Sequence, residues 1–282
     1  MKQLGRSVFG SIRCFYLRIT LVLIILYGTA TTQAQSLIPE LSFKNPVLKT
    51  GKADGQDGAV YLFENVGWGI DALLTILGRS CPEVTLSHVD IQGPEQNFSG
   101  GIGDDNAWQP GIRYGDGTAP AHQSWWMEFK ISFIRHADPY SFLHVNQFFV
   151  SGLDIDGDGN QLHEFQSYYK MHFFTLDNGT TIYVTSVLGS GLDPMLMGKR
   201  FDGPIKNYKG ISLTAEDAMV GNYYIGSSSM IVRLGAETGK EGSKSADRMY
   251  GLLFKSLTYD IPDKNKESIN GFALNQNSWQ PK

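Results

Sequence analysis

The sequence predicts an all-β protein, a two-sheet sandwich of the jelly-roll kind with about ten strands. Three observations carry that prediction. Short apolar runs recur between clusters of Gly, Asn, Asp and Pro, and no long stretch keeps a helical period. Trp125 to Arg135 alternates: Trp125, Met127, Phe129, Ile131 and Phe133 point one way, while Glu128, Lys130 and Ser132 point the other, toward solvent. Glycine supplies 32 of 282 residues, above the usual share of about 7 %, and marks frequent turns. A single open sheet of so many strands would expose too much apolar face, so two packed sheets are expected.

The elements follow in chain order. Lys2, Arg6, Arg13 and Arg18 precede an apolar run from Ile19 to Tyr27, and small and polar residues lead on to Ala34. This is the order of a secretory signal, with cleavage expected after Ala34. The run is too short to span a bilayer as a helix. Residues 35–260 are expected to form one β-sandwich domain, and the Asn-rich stretch 261–282 a polar tail. Strand candidates are Ala59 to Val66, Ala72 to Leu77, Val84 to Val89, Trp125 to Arg135, Gln147 to Ser151, Tyr168 to Leu176, Thr180 to Leu188, Tyr223 to Gly226, Met230 to Leu234 and Met249 to Leu257. Asp177, Asn178 and Gly179 between two β-rich runs predict a hairpin with a type I′ turn. Gly189 to Lys209 reads as a long irregular loop.

Composition narrows the function classes. With 41 % hydrophobic and 12 % aromatic residues the chain can bury a sizeable core, which excludes global disorder. The formal charge is −4, and removing residues 1–34, which hold four basic residues and no acid, leaves an acidic chain of −8. No basic cluster or Gly-rich phosphate loop accompanies it, so no nucleic-acid partner is expected. Cys14 lies in the signal, so Cys81 remains as a lone thiol and no intramolecular disulfide is expected. The oligomeric state leaves no mark in the sequence.

One stretch has a specific chemistry. Asp154, Asp156 and Asp158 alternate through Asp-Ile-Asp-Gly-Asp-Gly-Asn, with Gly159 after the third acid and Glu164 later in the loop. Calcium takes six to eight oxygens, so these carboxylates, a carbonyl near Asn160 and Glu164 make a candidate Ca²⁺ shell, with Gly159 permitting the turn. The opening matches an EF-hand loop, but its twelfth position is Phe165 and its flanks read as strands. A solvated Asp/Gly turn is the plain alternative. Asp71 and the Asp54–Gly58 turn read as loop caps or a second calcium site. The six histidines show no ligand spacing, and Arg135, His136, Tyr140 and His144 read as strand-end residues. Among the aromatics, Trp126, Trp108 and Tyr114 are the candidate ligand-binding platform, since flat aromatic faces on a sandwich stack on sugar rings. Trp126 leads, on the face opposite Met127 and Phe129.

The run Gln56-Asp-Gly-Ala-Val-Tyr-Leu-Phe-Glu-Asn-Val, then Gly69-Ile-Asp-Ala-Leu, Ala107-Trp-Gln-Pro and Asp154-Ile-Asp-Gly, resembles a domain of exported, adhesin-like surface proteins of Bacteroidetes-type bacteria. The resemblance implies an extracellular or cell-surface location and a β-sandwich, without an activity. The expectation is a secreted calcium-binding module for polysaccharide or another surface ligand. The alternative is a polysaccharide lyase or glycoside hydrolase on the same fold, although no nucleophile elbow or acid/base set announces an enzyme.

Overall fold

The alternating run at Trp125 becomes the longest strand among the described residues. In the computed structural model, which describes residues 38–92 and 103–257, sixteen strands and one 3₁₀ turn (Glu216–Ala218) appear. They are β1 (Val47–Thr50), β2 (Val60–Gly67), β3 (Ile70–Arg79), β4 (Val84–His88), β5 (Gly111–Tyr114), β6 (Ser124–Arg135), β7 (Asp138–Phe142) and β8 (Val145–Leu153). Then come β9 (Leu162–Tyr169), β10 (Phe173–Thr175), β11 (Tyr183–Leu188), β12 (Met197–Asp202), β13 (Val220–Ser227), β14 (Ser229–Thr238), β15 (Asp247–Met249) and β16 (Gly251–Leu253). The expected signal and the tail lie outside the described residues. Among the described residues no helix is long and apolar enough to cross a membrane.

The fold is an all-β sandwich. A nine-stranded sheet runs β1-β2-β3-β6-β14-β9-β12-β11 with β7 on β6; a four-stranded sheet runs β10-β13-β8-β16, and a three-stranded sheet β15-β5-β4. Trp125, Met127, Phe129, Ile131 and Phe133 of β6 are all fully buried, as the period-two pattern predicts. They share one core with Val232 and Leu234 of β14, Phe148 and Val150 of β8, and Ile112 of β5. Phe133 meets Phe148 edge-on at 5.0 Å across the two larger sheets.

Three local expectations are corrected. The Asp177–Gly179 turn does not close a hairpin, because β10 pairs with β13 and β11 with β12, so the turn carries the chain between sheets. Its geometry comes from the Asp177 carboxylate, which accepts the Gly179 N–H at 2.6 Å, and neither Asn178 nor Gly179 has positive φ. The Gly189–Lys209 segment is not wholly irregular, since β12 lies within it. The outer face of β6 does not simply meet solvent either. Glu128 is fully buried there, holding Arg233 at 2.8 Å and the Gly191 N–H at 2.5 Å, because the β11–β12 loop folds over that face.

Candidate functional site: an acid–arginine cluster under a polar cleft

The loop from β8 to β9 carries the alternating acids from the four-stranded sheet to the nine-stranded one. Two glycines fix its path. A Cβ at Gly157 would lie 2.3 Å from the Leu162 carbonyl oxygen and 2.5 Å from that of Ile205, so any larger residue would push the loop off the segment it packs against. Gly159 has φ +77, the left-handed region expected of the turn. Backbone bonds from Gly157 to Lys206 and from Gly159 to Ile205 then pin the loop down.

On this frame the five expected calcium ligands separate into different roles. Asp158 organises the turn: Oδ1 accepts the N–H groups of Asn160, Gln161 and Leu162 at 2.8–2.9 Å, and Oδ2 the Ser243 hydroxyl at 2.6 Å. Burial alone would raise its pKa, but Ser243 and these amides outweigh it and hold the carboxyl below its ordinary value. Asn160 is exposed. Asp156 is buried, with Oδ1 held by Arg248 Nη2 at 2.8 Å and Oδ2 by the Tyr208 N–H at 2.6 Å. Its pKa is still pushed up to about 6, since burial outweighs both partners. Glu164 Oε1 accepts Arg248 Nε at 2.5 Å, while Oε2 is buried without a partner. Burial lifts this carboxyl well above its usual range, and the neighbouring Asp156 and Asp154 add to the shift.

Asp154 is the least satisfied of the set. It sits at φ +53, is 5 % exposed, receives one backbone hydrogen bond from Ser212, and leaves Oδ1 without a partner. Burial, reinforced by Asp156, pushes its pKa up to about 8.

Arg248 was not selected by sequence reasoning. It stands in β15, whose register sets it opposite Ile112 of β5, and its guanidinium spans Asp156, Glu164 and the Gly157 carbonyl. No motif surrounds it, and only the packing of the three-stranded sheet against the loop places it there. The cation among the acids is thus a guanidinium, and Asp156 and Asp158 have no oxygen left without a protein partner. Among the described residues no group of three or more His, Cys, Asp or Glu is arranged to hold a metal ion.

Above the cluster opens a cleft of about 460 Å³, bordered by Asp116, Asp154, Tyr208, Lys244, Asp247 and Arg248. Asp158 and Asn160 face a neighbouring hollow instead, shared with Thr118, Ser243 and Lys244. The two halves of the loop therefore open onto different spaces.

The expected aromatic platform is not assembled. Trp108 is a core residue, fully buried, with Nε1 on the Val89 carbonyl at 2.8 Å and its ring edge-on to Phe129. Tyr114 is half-buried against Trp125. Trp126 does lie on the outer face, but its ring is covered by the Arg233 guanidinium at 4.0 Å. Among the described residues the two most exposed aromatics are Trp68, fully exposed at the β2–β3 tip, and Tyr140, 91 % exposed on β7, followed by Tyr183 and Phe142. The signal for Trp68 was its setting between Gly67 and Gly69, which marks a turn tip rather than a strand. Of the strand-end residues, His136 pairs with Asp71 at 2.9 Å and His144 with the Gly226 carbonyl at 3.1 Å, so neither joins the cleft.

Compared with known proteins, the chain matches no family model and no curated protein.

Proposed function

We propose that this protein is an exported β-sandwich that binds polysaccharide or a similar polar surface ligand, with the cleft over Asp154 and Arg248 as its binding site. One observation carries the reading: a polar cleft of about 460 Å³ whose border includes a buried carboxylate with an unpartnered oxygen. Ligand pockets of about 300–1,000 Å³ place a few polar groups to fix orientation. A wall of carboxylates, a lysine and an arginine suits hydroxyl-rich ligands, whose O–H groups donate to acids and accept from cations. Export follows from the order of charged, apolar and small residues before Gln35, and surface location from the resemblance to adhesin-like domains.

Incubating the protein with a panel of neutral and charged glycans tests this reading. Retention without turnover is the expected result. New reducing ends or unsaturated products would make the same cleft catalytic, as a hydrolase or lyase, and no retention of any glycan would overturn the assignment.

A second reading keeps calcium in the loop. It is favoured by three buried carboxylates, Asp154, Asp156 and Glu164, around one guanidinium, two of them with a bare oxygen. A cation bound only by the folded state stabilises it by about 2.7 kcal/mol at a hundredfold excess over Kd. A melting curve unchanged by EDTA, with no heat of calcium binding at millimolar concentration, removes this reading and leaves the first standing.

A further inference from the structure

We infer that the cleft selects ligands carrying a protonated amine, and that the glycan class it takes is an amine-bearing sugar rather than a neutral or acidic one. This inference rests on the glycan-binding reading above and adds the charge of the ligand.

The argument begins from charge balance. Three carboxylates, those of Asp154, Asp156 and Glu164, lie at 5 % exposure or less, and the cation among them is Arg248. Both hydrogen-bonded arms of Arg248 are committed, Nε to Glu164 and Nη2 to Asp156 and the Gly157 carbonyl. Asp154 has no side-chain cation of its own and borders the cleft. The rim adds Asp116 and Asp247, the latter paired with Arg113 at 2.5 Å, against Lys244. Carboxyl groups outnumber bases around the opening, and although burial keeps Asp154 largely protonated at pH 7 in the free protein, an arriving ammonium that donates hydrogen bonds to the unpaired oxygen favours the ionised carboxylate and draws that proton off.

The type of cation follows from what Asp154 offers. A hard metal ion seeks six to eight oxygens, and the neighbouring carboxylates are largely engaged by Arg248 and by backbone amides. An ammonium group brings three N–H donors on one atom, so a single carboxylate with neighbouring carbonyl or carboxylate acceptors satisfies it. Uronate or sulfate groups are disfavoured, since an anion beside Asp154 opposes ionisation of that carboxyl and has no uncommitted buried base to meet.

The test is calorimetric titration of the whole chain at pH 7 with a glucosamine tetramer and with its N-acetylated counterpart, which differ in charge at the same ring positions. The expected result is binding of the amine form at least tenfold tighter, with Asp154→Asn bringing the two ligands within about twofold of each other. Equal binding of both oligomers, or preference for the acetylated one, overturns the charge inference while the glycan reading survives. Tight, selective binding retained in Asp154→Asn overturns the assignment to Asp154. Binding of neither oligomer, nor of any glycan in the wider panel, overturns both. The comparison of the two oligomers needs no variant, so a fold defect in Asp154→Asn leaves it intact.

Discussion

Two aspartates of this protein are buried to nearly the same degree, Asp71 at 2 % exposure and Asp154 at 5 %, and their chemistry runs in opposite directions. Asp71, on β3, accepts the Asn65 N–H and His136 Nδ1 on one oxygen and the Ala137 N–H on the other, at 2.7–3.0 Å. Asn65 and Ala137 both have positive φ, so the carboxylate clamps an irregularity in the β2–β3 pairing and the β6–β7 turn, conformations that non-glycine residues adopt reluctantly. Burial pushes its pKa up, but these donors outweigh burial and hold it below the ordinary value. Asp154 receives one backbone donor and goes the other way, to about 8. Burial alone thus does not define a buried acid. The donors that reach it, together with how deeply the protein surrounds it, decide whether its carboxyl is held below or above the ordinary value.

The largest expected effect comes from removing the base of the unsatisfied cluster. Arg248→Met leaves Asp156 and Glu164 buried without their cation, and breaking such a pair from one side costs about 3–5 kcal/mol. Urea unfolding should show the loss directly, and a loss below 1 kcal/mol would mean that the acids are already neutral without the arginine.

The satisfied acid gives the next effect. Asp71→Ala strands the Asn65 and Ala137 amides and frees the irregular stretch of β2 and the β6–β7 turn, at a cost of about 1–3 kcal/mol for the groups left unpaired. Hydrogen exchange at those two amides should accelerate ahead of the sheet interior. Uniform exchange at the wild-type rate would show that Asp71 is not their clamp.

A pH series separates the two aspartates by sign. A carboxyl whose pKa is raised on folding binds a proton in the folded state that the unfolded state has lost. Asp154 and Asp156 therefore withdraw stability as pH rises from about 4, the ordinary carboxylate value, toward 6 and then 8. Asp71 and Asp158, both lowered, withdraw stability only as pH falls below that ordinary value. His136, raised by Asp71, adds a decline of the same sign above about 6.5. The protein should accordingly melt higher at pH 5.5 than at pH 8.5, and Asp154→Asn should flatten the difference. An unchanged slope in that variant would place the titration on His136 or Glu164 instead.

How much of this could be read from the chain depends on the range of the interactions. Trp125 to Arg135 announced its strand because alternation is local, and the sandwich followed because alternating strands must bury their apolar faces. Gly159 declared its turn for the same reason. The role of Asp177 was misread, since a turn residue carries no information on whether its flanking strands pair with one another. The alternating acids marked the right loop, but Asp156 and Glu164 meet a partner more than eighty residues away, and nothing around Arg248 distinguishes it from a surface arginine. Trp108 and Trp126 were chosen by type, while their exposure depends on Val89 and Arg233, which the sequence does not connect to them.

The smallest expected effect tests the satisfied end of the comparison at its tip. Trp68 stands between Gly67 and Gly69 on the β2–β3 turn, and the Gly69 carbonyl accepts the His136 N–H at 3.1 Å, so the turn is held from the β6–β7 side as well as by Asp71. The indole is fully exposed and contributes no packing. Trp68→Ala should therefore leave stability within about 0.5 kcal/mol of wild type, as for surface substitutions away from special contacts. In a Trp279→Phe background, since Trp279 lies outside the described residues, its loss should nonetheless remove the most acrylamide-accessible part of the tryptophan fluorescence, because Trp108 and Trp125 are fully buried and Trp126 is shielded by Arg233. The same quenching measured in Asp71→Ala connects the tip to its clamp: a rigid turn keeps the accessible fraction constant, and a released one shifts the emission as the indole finds new neighbours. A destabilisation above 1 kcal/mol in Trp68→Ala would mean that the indole packs on the protein in solution, and that the tip is part of the fold rather than a projection from it.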